Sequence, residues 1–147
     1  MINLMRVRPA KSLIVPLSFC AIVLILGCLA RSFEYDTDEG LNLMKSLLML
    51  RGHRLYSEIW SDQPPLFTCL LTWLFKLSGP SVMPARMLVL AFSGLLLWTM
   101  YQTLSILEDR RFALVAALLL AGSTWYALFS FSVMIGLPAL SLAMMSI

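Results

Sequence analysis

Two adjacent carboxylates, Asp38-Glu39, lie in the stretch EYDTDEGLNLMKSLLMLRGHRLYSEIWSDQPPLF of an otherwise apolar chain. Carboxylates are costly near lipid and cheap in water, so an acidic pair beside apolar segments needs a reason. A carboxylate placed there can act as a general base that takes the proton of an acceptor hydroxyl. Two together could hold a hard divalent cation, Mg or Mn, that neutralises a phosphate leaving group. The same pair also suits a helix N-terminus, where acidic side chains complement the helix dipole. Asp36 belongs to the same acidic run. Asp62, ahead of Pro64-Pro65, is either a turn residue or a further carboxylate facing the same cavity. Arg51, His53 and Arg54 could grip a phosphate or meet lipid headgroups. Tyr56 and Trp60 could stack on a sugar face or belong to an interfacial aromatic belt.

The elements that must position these residues follow from composition. The chain has 147 residues, 60% of them hydrophobic and only 13% charged, with a mean hydropathy of +0.85. That charged share is about half of what a soluble domain carries. The composition predicts an all-α, multi-span helical membrane protein with about four hydrophobic segments. A net charge of +3 is too small to argue for nucleic acid as a partner; membrane lipids are the expected surroundings. Cys20, Cys28 and Cys69 show no metal spacing, and the single His53 cannot pair with another.

Residues 12–30 carry no charge, and at ~1.5 Å per residue they reach about 28 Å, enough to cross a hydrocarbon core. Arg6, Arg8 and Lys11 precede this run and only Arg31 closely follows. The asymmetry places the N-terminus in the cytoplasm and residues 31–63 outside the cell (inner) membrane. An uncleaved anchor is expected here rather than a signal peptide or a lipoprotein leader. Within 31–63, residues 41–51 have helical periodicity: Leu43, Met44, Leu47, Leu48 and Leu50 on one side, Asn42, Lys45 and Ser46 on the other. This predicts an amphipathic interfacial helix closed by Gly52. Pro65 suits a first helical position, and 65–78 is too short for a full span, so it is expected to be re-entrant or interfacial. Were it to span, every later segment would face the opposite side. Residues 87–107 and 112–133 are the next expected spans, joined by the turn at 108–111. Gly136 and Pro138 mark the break before a partial span, 138–147.

The combination of one span, Asp38-Glu39, an amphipathic helix and GHRLYSEIWSDQPPLF resembles the N-terminal part of polyprenyl-phosphate-dependent glycosyltransferases. These include the protein O-mannosyltransferases and the aminoarabinose transferases of lipid A, in the glycosyltransferase C superfamily. The resemblance is sharpest over residues 33–67. It implies an inverting transfer on the non-cytoplasmic face, from a lipid-phosphate-linked sugar donor to an acceptor hydroxyl. It also implies that Asp38 is the base or a metal-linked carboxylate, with Glu39 its partner and Asp62 a later acidic position. The chain departs from the pattern at Gly136, where relatives commonly carry an acidic residue. Relatives also have more spans and usually a soluble C-terminal domain. The chain is therefore expected to be the N-terminal piece of a longer protein, inactive alone. The competing expectation is a small non-catalytic membrane protein or an inactive remnant of such an enzyme. Sugar and acceptor are not readable from these residues.

Overall fold

The structure, a computed structural model, describes residues 13–29 and 37–146. Asp36, Arg31 and the basic residues Arg6, Arg8 and Lys11 lie outside the described residues. All regular elements described are helices: α1 (Ile14–Leu29), α2 (Thr37–Leu50), α3 (Pro65–Ser78), α4 (Val82–Leu107), α5 (Arg110–Ala121), α6 (Thr124–Ser130) and α7 (Gly136–Met145).

Local chemistry explains most boundaries. Asp38 and Glu39 occupy the first turn of α2, where negative charge is favoured. Gly52, at φ +97, ends that helix. Its N–H donates to the Met49 carbonyl (3.0 Å) and the His53 N–H to that of Leu48 (3.2 Å), the paired bonds of a Schellman ending. Pro65 opens α3 and Gly79, at φ +80, closes it. The turn between α4 and α5 is set by Asp109, whose side chain accepts from the Arg111 N–H (2.8 Å).

α4 is the axis of the fold. Phe19 and Val23 of α1, Leu90, Leu96 and Leu97 of α4, Tyr126 of α6 and Phe131 make one buried cluster. Phe67, Leu71 and Phe75 of α3 meet Ala85 and Val89 of α4, with Val133, in a second. α1 approaches α4 closely where Cys20 Sγ faces Gly94; a Cβ at Gly94 would come within 2.7 Å of that sulfur. α5 buries only the small residues Ala113 and Ala117 and leaves Phe112, Val115, Leu118 and Leu119 exposed. Interior hydroxyls are satisfied within their own helices: Ser46, Thr72, Ser93 and Ser130 each donate to the carbonyl four residues back.

The helices differ from expectation in three places. α4 begins at Val82, five residues before the expected 87–107, because the Gly79–Pro80 turn is tight enough to restart a helix at once. Residues 112–133 do not form one straight span. Gly122 and Ser123 interrupt them, and α5 and α6 are bent by 70°; glycine weakens the helix there. α2 starts at Thr37, not Leu41. Among the described residues α4 alone is long and apolar enough to cross a membrane by itself, with 26 residues. α1, α3 and α7 are apolar but shorter.

Candidate functional site

The polar stripe of α2 builds the site. Glu39, Asn42 and Ser46 recur at i, i+3 and i+7, the spacing of one helix face, and Lys45 flanks them. All four are buried. Leu41 and Met44, from the apolar side, are exposed. The sequence placed Asn42, Lys45 and Ser46 on the face opposite the leucines and expected α2 to lie in an interface. Here that polar face is turned onto the rest of the protein.

Glu39 is 0% exposed. Its Oε1 accepts from Arg86 Nε (2.8 Å) and its Oε2 from Arg86 Nη2 (2.9 Å), a bidentate charge-assisted pair. Oε1 also accepts from the Val133 N–H at 3.3 Å. The Arg86 guanidinium lies over the Phe131 ring, 5.4 Å from its centroid, within cation–π range. One turn along, Asn42 Nδ2 donates to the Val133 carbonyl (3.0 Å), while its buried Oδ1 has no hydrogen-bond partner among the described residues. Ser46 donates to the Asn42 carbonyl, and Thr72 of α3 donates to that of Ser46 (3.4 Å). The stripe thus ties together the start of α2, the start of α4, the α6–α7 link and α3.

Both oxygens of Glu39, expected as a catalytic partner or metal ligand, are engaged by Arg86. Among the described residues no group of three or more His, Cys, Asp and Glu side chains is placed to hold a metal. Asp38, the neighbouring residue, is exposed on a turn that Glu39 anchors. Beside that turn a groove of about 240 Å³ runs between α2 and the α3–α4 turn, lined by Gly40, Leu43, Met44, Phe75, Pro80 and Ser81 among others.

The remaining expected site residues do not converge on Asp38. Arg51, His53 and Arg54 are exposed at the far end of α2, about 20 Å along its axis at ~1.5 Å per residue. His53 Nδ1 sits 3.7 Å from Glu58 Oε2, and the Arg54 N–H donates to the same carboxylate oxygen (2.7 Å). Tyr56, at φ +70, donates its hydroxyl to the Gln63 carbonyl (2.6 Å) and so shapes the loop. Asp62 lies against mid-helix: its Oδ1 is 3.7 Å from Lys45 Nζ.

Sequence reading did not single out Arg86, and it took Asn42 and Lys45 only as the polar side of a helix. The available signal was the continuous polar stripe itself: in so apolar a chain, a helix's polar face seeks polar partners inside the protein. At Gly136 an added Cβ would meet nothing within 4 Å. No protein-family model, curated protein or solved structure matches the chain.

Proposed function

We propose that the chain is a membrane-embedded helical unit that forms the N-terminal part of a sugar transferase using lipid-phosphate donors. Three observations support the membrane setting. Large apolar side chains are exposed along α1, α5 and α7, beyond what a water-facing surface normally carries. Helix hydroxyls are satisfied internally, as lipid surroundings require. α4 has the length and composition of a span. In this reading the Arg86 end of α4 and the 131–133 link share the outer side, the 108–111 turn is inside, and α5–α6 is a broken span.

The observation that carries the functional reading is the anchored first turn of α2. Glu39, clamped by Arg86 and Val133, fixes the first turn of α2, on which Asp38 is exposed. Asp38 takes the proton of the acceptor hydroxyl as that oxygen attacks the anomeric carbon; the bond to the lipid phosphate breaks with inversion, and the phosphate leaves as the anion.

Asp38→Asn in the protein expressed in membranes from its complete reading frame tests this. Transfer of radiolabelled pentose and hexose from polyprenyl phosphates should fall about 100-fold or more, with insertion intact and melting lowered only by the lost charge at the helix start, about 0.3–1 kcal/mol. Turnover equal to wild type removes Asp38 from the chemistry. It would then favour the second reading, a non-catalytic membrane protein, which the complete internal pairing of Glu39 also suits.

A further inference from the structure

The strap between α2 and α3, residues 51–64, carries a side chain with no task in the reading above. Trp60 is 74% exposed, yet its ring is held. Lys45 Nζ lies over it, 5.6 Å from the ring centroid, and the same ammonium is 3.7 Å from Asp62 Oδ1. Lys45 is itself only 6% exposed and rooted in α2. The neighbouring Ile59 is buried; its N–H donates to the Arg54 carbonyl (3.1 Å) and its carbonyl accepts from the Tyr56 N–H (2.8 Å). The indole is pinned by an ammonium on one face and by ordered backbone on its N-terminal side. Most of the ring is exposed, and the Asp62 carboxylate, 61% exposed, meets the same ammonium.

We propose that Trp60 and Asp62 form a sugar-binding platform. A pyranose or furanose ring lays its C–H face on the exposed indole, and Asp62 accepts hydrogen bonds from two neighbouring hydroxyls. The aromatic face is negative and attracts the weakly positive C–H groups of a sugar. An ionised carboxylate accepts and cannot donate, which matches a pair of hydroxyl donors. Lys45 holds both groups in place beforehand, so less order is lost on binding. Interfacial anchoring accounts for an exposed indole but not for a carboxylate and an ammonium fastened beside it. The platform deepens the transfer reading and rests on it for its role. Lys45 is about 10 Å along α2 from Asp38 at ~1.5 Å per residue, so the ring seated here is not the one that reacts. It belongs to a saccharide-bearing substrate.

The test is saturation-transfer NMR on the protein from its complete reading frame, in lipid nanodiscs, with methyl α-mannopyranoside and methyl β-arabinopyranoside as probes. Transfer should concentrate on the C–H protons of one ring face and fall about fivefold in Trp60→Leu, the loss of ~1 kcal/mol of stacking. It should also fall in Asp62→Asn and persist in Trp125→Leu, which removes another exposed indole. Equal signals from Trp60→Leu, or from nanodiscs without protein, overturn the platform. Asp38→Asn keeps the two proposals apart. Sugar binding that persists in Asp38→Asn, in a protein that never transfers, leaves the platform standing while the transfer reading falls. Transfer by wild type with undiminished binding in Trp60→Leu removes the platform alone.

Discussion

Arg86 has two aromatic and acidic contacts that no short stretch of sequence could reveal. Its partner Glu39 is 47 positions away, and Phe131 is on a third segment. Removing one member of such a buried pair leaves the other charge uncompensated, at about 3–5 kcal/mol. Glu39→Gln, which keeps the shape, should therefore lower the denaturation midpoint strongly. The double replacement Glu39→Leu with Arg86→Leu should cost less than the two single changes added together. A Glu39→Gln protein as stable as wild type would contradict the structural role and return Glu39 to the candidate chemistry. Residue types were legible in the sequence here, since Asp38-Glu39 stood out at once. Which carboxylate anchors and which is presented was not, because that depends on Arg86.

Helix identity was the most legible layer, since Gly52, Pro65 and Gly79 are local signals with local consequences. Facing was harder. Periodicity separates the two sides of α2 but does not say which side is inside, and here the polar side is the buried one. The break at Gly122–Ser123 was hidden because apolar residues continue through it, while Gly136–Pro138 drew the attention. Packing between α1 and α4 depends on a contact that sequence reading did not single out: Cys20 against Gly94. Gly94→Ala would place a Cβ within 2.7 Å of the Cys20 sulfur and force the helices apart, a strain of about 1–3 kcal/mol. Cys20→Ala removes the obstructing atom, along with a long 3.7 Å Sγ contact to the Leu90 carbonyl. Combined with Gly94→Ala it should restore most of the lost stability. Thermal melts of the four proteins measure this coupling directly; purely additive effects would mean that the α1–α4 contact is looser than the structure has it.

For the whole molecule, the two turns at opposite ends of α4 set the arrangement. Residues 79–81 lead into one end, close to Glu39, Phe131 and Val133. Glu108-Asp109 lie at the other, about 39 Å away at ~1.5 Å per residue over 26 residues, a distance that matches a bilayer with its headgroup layers. If α4 spans and α3 does not, the strap with Ser57 and the turn with Glu108 face different compartments. In a background with Cys20, Cys28 and Cys69 changed to Ala, Ser57→Cys should react with an impermeant maleimide in intact cells. Glu108→Cys should react only after permeabilisation. Both positions are exposed, so burial does not confuse the readout. The reverse pattern would flip the orientation and put the Asp38 turn on the cytoplasmic side, where the proposed transfer on the outer face could not occur. Labelling of both from one side would mean either that α3 crosses as well as α4, or that α4 does not cross and its apolar surface is covered by protein instead of lipid.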